Sequence, residues 1–337
     1  MIESVRRSAG DPRADHPRPA RGTTATGTGR AAARTLAGVT PSAPPTTIAL
    51  VGPGAIGTTV AAALHESGRT PQLCGRTPRD RLVLRTGEGA VEVPGPVRTD
   101  PREVRAPVDL VLLAVKATQV DGAAPWLSAL CGPGTVVCVL QNGVEQVPVV
   151  APLAPGAEVL PAVVWFPAQA EPDGSVLLRG EPRLTLPDVP AAAVVQGALR
   201  GSRCAVDLAA DFPTVAWRKL LQNAAAGLMV LTGRRSAAFR RDDLGDLALR
   251  YLRECLAVAR AEGAALGDDV PEAILDGFRS NPPDMGTSIL ADREAGRPLE
   301  WDARNGVVVR RARAHGIPTP VGDVLVPLLA AASDGPG

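Results

Sequence analysis

Lysine is almost missing from this chain of 337 residues: of its 36 basic side chains, all but Lys116 and Lys219 are arginine. Aromatic residues make up 3% of the sequence, with a single tyrosine, which leaves little material for base-stacking platforms. The formal net charge is +1, so overall charge draws the chain to neither nucleic acid nor a membrane surface. No apolar run approaches the ~18 residues of a membrane-spanning helix. Histidine occurs at His16, His65 and His315 without clustering, which argues against a zinc site. The cysteines (Cys74, Cys131, Cys138, Cys204 and Cys255) are odd in number, dispersed, and form no CxxC pair. They read as reduced, buried small hydrophobes, and a cytoplasmic location is expected.

Residues 1–45 are rich in Arg, Pro, Gly, Thr and Ala and nearly empty of large apolar side chains. Such a segment buries too little surface to offset its ordering entropy, so a disordered extension is expected. It lacks the apolar centre of a secretory signal. Its arginines suit a transit peptide, but Glu3, Asp11 and Asp15 count against one. A wrongly assigned start codon explains it equally well.

The pattern changes at Thr46. "TTIALVGPGAIG" is a short apolar run ending in glycines, and "TVAAALHESG" reads as a helix stopping at Gly68. "PQLCG" reads as a second strand. "VDLVLLAV" (108–115) and "TVVCVL" (135–140) are continuous apolar runs of strand length, as in a parallel sheet buried on both faces. Further strands are predicted at 158–166, 175–179, 183–186 and 203–208. Beyond Phe212 the spacing turns helical, over 213–232, 243–266, 271–279, 285–295, 299–315 and 321–332. The predicted fold is an α/β Rossmann-type dinucleotide-binding domain over 46–210, an all-α domain over 211–333, and a tail at 334–337.

Gly52, Gly54 and Gly57 form GxGxxG after a strand and before a helix. The first glycine suits the tight turn, the second lets backbone approach a pyrophosphate, and the third lets helix pack close to strand. Gly52, Gly54, Ala55, Ile56 and Gly57 are therefore candidate cofactor contacts. A site preferring NAD needs an acid about 20 residues on, at the end of the second strand. Arg76 stands there instead, with Arg79 nearby. A guanidinium suits the 2′-phosphate of NADP.

"VAWRKLLQNAAAGLMV" places Lys219 and Asn223 on one face of a largely apolar helix. Desolvation lowers a lysine's pKa and lets it deliver a proton near neutral pH, which arginine does not do.

These stretches, together with "VKATQV" at 115–120, "QNGV" at 141–144, "TSILADREAGRPLEWDARNG" at 287–306 and "VVRRARAHGIPTP" at 308–320, resemble the ketopantoate reductase (2-dehydropantoate 2-reductase) family over about residues 46–333. The resemblance implies a fold like that of 6-phosphogluconate dehydrogenase and reduction of 2-dehydropantoate by NADPH to pantoate, for pantothenate and coenzyme A synthesis. It implies Lys219 as general acid and Asn223 as a substrate contact. Lys116 falls near the cofactor, and Asn142 at the junction of nicotinamide and substrate. Ser288 falls on the substrate carboxylate. Glu300 binds the substrate hydroxyl and acts near Lys219. Both lysines of the chain thus fall on functional positions.

One unbroken helix would hold Ser288 and Glu300 about 18 Å apart, but Gly296 and Pro298 mark a stop and restart that brings them to one cleft. Asp292 reads as an ion-pair partner, His315 as a helix C-terminal residue, and Trp217 and Trp301 as core. The family's second asparagine is replaced by Gly227, which removes a contact or enlarges the pocket. That favours a rival reading, an NADPH-dependent reductase of a different 2-oxo or hydroxy acid in specialised metabolism. A second rival, an NADP-binding sensor without turnover, has no need of Lys219, Asn223 and Glu300. The expected partner is a small 2-oxo acid, with no nucleic acid and no membrane, and the chain is expected to be a monomer or a homodimer.

Overall fold

The computed structural model describes residues 46–335, so the extension expected at 1–45 lies outside the described residues, as do the last two residues of the tail. The chain runs through β1 (Ile48–Val51), α1 (Ala55–Glu66), β2 (Gln72–Cys74), the hairpin β3 (Arg81–Thr86) and β4 (Gly89–Pro94), β5 (Leu110–Leu113), α2 (Ala124–Leu130), β6 (Val136–Val139), α3 (Gln146–Val150) and β7 (Glu158–Pro161). A five-stranded sheet forms in the order β2-β1-β5-β6-β7, every pair parallel. All residues of β1, β5 and β6 are buried, as continuous apolar runs require. The chain steps outward from β1 to β2, then returns to β5 on the other side of β1. The carboxyl ends of β1 and β5 therefore flank a topological switch point, where open α/β sheets place their ligands.

The strand expected over 158–166 is two strands. β7 pairs with β6, whereas β8 (Val163–Val164) runs antiparallel to β11 (Arg183–Pro187). The apolar run is continuous across this change of partner, so periodicity alone does not reveal it. Next come β9 (Ala168–Ala170), β10 (Val176–Leu178), β11 (Arg183–Pro187), α4 (Ala192–Leu199) and β12 (Ala205–Ala209). They complete two small sheets, β4-β3-β10-β9 and β12-β11-β8.

From Phe212 the described chain is helical: α5 (Phe212–Ala225), α6 (Gly227–Thr232), α7 (Asp242–Ala261), α8 (Val270–Ser280), α9 (Ser288–Glu294), α10 (Val307–Ala314) and α11 (Pro320–Asp334). The single helix expected over 213–232 breaks at Ala226, ahead of Gly227, whose backbone freedom weakens a helix by about 1 kcal/mol relative to alanine. A turn of π-helix, Asp302–Gly306, leads into α10. The helices close on one core in which Trp217, Leu221, Phe239, Tyr251 and Leu329 are buried and against which Trp301 packs. All five cysteines are buried and unpaired. Burial pushes the Cys131 thiol up to about 11 and that of Cys204 to about 12, which makes them poor nucleophiles. Among the described residues no helix is long and apolar enough to cross a membrane.

Candidate active site

Three loops at the carboxyl ends of β1, β5 and β6 form one wall. Gly52 sits at φ +96°, and a Cβ there would lie 2.7 Å from the Val115 nitrogen. A Cβ on Gly57 would lie 2.2 Å from the Gly52 carbonyl oxygen. Both glycines are therefore required by close packing. Gly54 differs, for a Cβ there meets nothing within 4 Å. It caps α1, and no side chain serves as its cap. An open helix N-terminus behind a bare backbone is a place where Gly54, Ala55, Ile56 and Gly57 could hold a pyrophosphate. The Gly52 N–H donates to the Cys74 carbonyl, which joins this loop to the end of β2. Gly75, which sequence reasoning passed over, packs against Pro53, where a Cβ would come within 2.8 Å of the proline ring. Arg76 follows it, exposed, beside the glycine loop.

The loop after β6 is stitched to its neighbours. The Gln141 amide donates to the Val115 carbonyl at 2.8 Å. The Gln146 amide donates to the Gln141 and Gly143 carbonyls at 3.0 and 2.7 Å. Gly143, at φ +116°, brings the backbone against the π-turn, with the Ala303 carbonyl 3.1 Å from where a Cβ would be. Asn142 is thereby presented to the helical half.

The opposite wall is α5. The Asp211 carboxylate caps it by accepting from the Thr214 N–H at 3.2 Å, and Trp217, Leu220, Leu221 and Ala224 anchor it in the core. Its other face carries Lys219 and Asn223. The Asn223 amide donates to the Asn142 side-chain oxygen at 3.1 Å. Lys219 lines a small cavity with Asn142, Gly143, Val163 and Ala216, its Nζ 5.0 Å from the centre of the Trp165 ring. Burial, and second the Arg304 guanidinium, bring the Lys219 amine down to about 8. Trp165 itself donates to the Thr185 hydroxyl at 2.8 Å. Nothing in the sequence near Trp165 signals this role, because β8 reaches the cleft only through its pairing with β11.

Ser288 and Glu300 do meet in one cluster. Gly296, at φ +63°, ends the turn after α9, so the two are not separated along one helix. Glu300 is buried. Its carboxylate accepts from the Ala117 N–H at 3.0 Å, the Asn142 amide at 3.5 Å and Arg304 Nη2 at 3.0 Å. Burial alone would push this carboxyl up; the Arg304 guanidinium, the Ala117 N–H and the Lys116 ammonium outweigh it and hold the group below the usual glutamate range. Arg304 Nη2 also donates to the Ser288 hydroxyl at 3.0 Å. Among the described residues no hydrogen bond joins Glu300 to Lys219; Asn142, which donates to Glu300, lines the Lys219 cavity, and the Arg304 guanidinium acts on the amine through its charge alone.

Lys116, after β5, forms an ion pair with Asp292, and the same buried carboxylate accepts from Arg297 Nε at 2.9 Å. Asp292 is an ion-pair partner, as expected. His315 ends α10 and meets Glu262 at 2.7 Å, as a helix C-terminal residue. The extra pocket room expected at Gly227 is absent. A Cβ there would lie 3.0 Å from Leu329 Cδ1 and 3.1 Å from Asn305 Nδ2, so the position faces the packed helical core. Asn305, fully buried, fills that space and donates to the Ala224 carbonyl at 2.9 Å.

Family models described as "Ketopantoate reductase PanE/ApbA" and "Ketopantoate reductase PanE/ApbA C terminal" match residues 48–191 and 211–333. The chain is 63% identical over 278 residues to a 2-dehydropantoate 2-reductase of Mycobacterium tuberculosis, covering 82% of this chain and 94% of that one. It is 40% identical over 262 residues to one of Caulobacter vibrioides, covering 77% and 90%. Among solved structures it resembles a dimeric ketopantoate reductase of Staphylococcus aureus, with a TM-score of 0.78 and 27% identity over 86% of this chain and all of that one. On its sequence, its two matched segments and its fold, this chain belongs to the ketopantoate reductase family.

Proposed function

We propose that this chain reduces 2-dehydropantoate to pantoate with NADPH, in pantothenate and coenzyme A synthesis. The observation that carries the reading is Lys219, a partly buried amine brought down to about 8 that lines one cavity with Asn142. The cofactor half is taken as residues 46–210 and the substrate half as 211–333.

NADPH, when bound, supplies the hydride that goes to the ketone carbon. Lys219 gives its proton to the oxygen as the alkoxide charge develops there, and its lowered pKa makes that transfer favourable near neutral pH. Asn142 and Asn223, already hydrogen-bonded to each other, orient the substrate against Lys219. Ser288 donates to the substrate carboxylate, and the ionised Glu300 accepts from a substrate hydroxyl. Donors fixed before the reaction stabilise developing charge without reorganising. Arg76, exposed beside the glycine loop, binds the 2′-phosphate. Lys116 supplies positive charge near the cofactor, its ammonium held in place by Asp292.

The rival built on Gly227 loses its support, because that position faces Leu329 and Asn305. The test is loss of NADPH absorbance with 2-dehydropantoate, with pantoate identified as product, beside a panel of bulkier 2-oxo acids. Faster turnover of another acid overturns the substrate assignment. NADPH binding without oxidation by any 2-oxo acid overturns the enzymatic reading.

A further inference from the structure

We infer that Arg304 is a positioning residue of this site: one nitrogen of its guanidinium ties the Ser288 hydroxyl and the Glu300 carboxylate into a single cluster beside Lys219. The inference rests on the function proposed above for that cluster.

Ser288 opens α9, and Glu300 lies beyond the Gly296 turn. Arg304 bridges them with Nη2, 3.0 Å from the Ser288 oxygen and 3.0 Å from Glu300 Oε2. Its side chain is 2% exposed and that of Glu300 6%. Buried ion pairs seldom stabilise a fold more than apolar side chains of similar volume would. Stability alone therefore does not account for an arginine here. Its hydrogen bonding points the same way, since the side-chain hydrogen bonds it makes among the described residues both run from Nη2, to Ser288 and to Glu300.

The charge matters as well. A substrate carboxylate approaching Ser288 would be repelled by a bare Glu300, and Arg304 offsets that charge while leaving the carboxylate free to accept hydrogen bonds. The cavity residues beside Lys219, including Gln141, Asn142, Val163 and Leu220, are uncharged. Arg304 is the charged group that acts on the amine, and it favours the neutral form. The π-turn Asp302–Gly306 carries Arg304 and abuts the Gly143 backbone through Ala303, so both halves of the molecule fix its place.

The test compares R304M, which keeps length without charge, and R304K, which keeps charge without the planar fork. Because the sequence holds only two lysines, reductive methylation with a carbon-13 label marks few amines, the N-terminal one included; the Lys219 signal is assigned by its loss in K219A, the extra signal of R304K by its absence from wild type, and the titration is followed by NMR without substrate. R304M is expected to raise KM for 2-dehydropantoate about tenfold or more and to leave the Kd for NADPH unchanged. It is also expected to move the Lys219 titration upward from about 8, with the basic limb of the rate profile following. R304K is expected to keep that titration near the wild-type position and still raise KM. An R304M enzyme with wild-type KM and wild-type Lys219 titration overturns the inference. Should R304M fail to fold, a folded R304K enzyme with unchanged KM overturns it. If wild type leaves 2-dehydropantoate untouched while R304M moves the Lys219 resonance, the substrate assignment falls and the role of Arg304 stands.

Discussion

The Asn223 amide on α5 donates to the Asn142 side-chain oxygen at 3.1 Å, so the helix that carries Lys219 is tied to the loop after β6 by one side-chain pair. Groups that share a hydrogen bond do not contribute additively. N142A and N223A are each expected to lower kcat/KM by about tenfold or more, a loss in the range of one or two hydrogen bonds. The double variant is expected to fall short of their product, with a coupling of about 0.5–3 kcal/mol. Steady-state kinetics on the four enzymes of the cycle measures this, and strict additivity would contradict the pairing.

The general acid proposed at Lys219 works only while protonated, and its amine is brought down to about 8 by burial and by Arg304. Activity is therefore expected to hold below that pH and to fall as pH rises through it. K219A should lose about 10²–10⁴ in kcat with the basic limb abolished. K219R keeps the charge without a transferable proton and should be nearly as poor. The pH dependence of kcat for the three enzymes decides it.

Gly54 and Gly57 are expected to separate binding from packing. G54A introduces a Cβ into open space, so thermal stability should change little while NADPH affinity drops. G57A forces a Cβ to 2.2 Å from the Gly52 carbonyl oxygen. It should cost about 1–3 kcal/mol in stability through overpacking and weaken the cofactor site as a consequence. Melting curves beside NADPH titrations tell the two apart; equal loss of stability in both would refute the distinction.

Arg76 is exposed beside the glycine loop, where the 2′-phosphate of NADPH is proposed to sit. R76A should weaken NADPH by about tenfold or more, the worth of a charged hydrogen bond, and leave NADH nearly unchanged. The ratio of kcat/KM for the two cofactors is the readout, and a ratio that does not move assigns the preference elsewhere.

Much of this architecture was legible from residue pattern. The glycine turn, the buried strands and Lys219 each follow from a local requirement: a tight turn, two apolar faces, an amine in an apolar setting. Four features were not. The division of 158–166 between two sheets depends on strand partners distant in the chain. Trp165 reaches Lys219 only through β8 and β11. The break at Ala226 is a balance between weak helix propensity at Gly227 and core packing on both sides. Gly227 looked like missing substrate contact because a helix face cannot be assigned to cleft or core without knowing what packs on it; Leu329, far along the chain, decides the matter.

The π-turn at Asp302–Gly306 also limits how the chain can change in length. An α-helix advances about 100° per residue, at 3.6 residues per turn. Deleting one residue there would let the helix relax to regular winding and turn everything before it, Glu300 included, by about that angle relative to α10. With Asp302 or Ala303 as the residue lost, every side chain of the cluster would remain in the sequence, yet the cluster would come apart. Along this stretch, residue count is under as strong a constraint as residue identity.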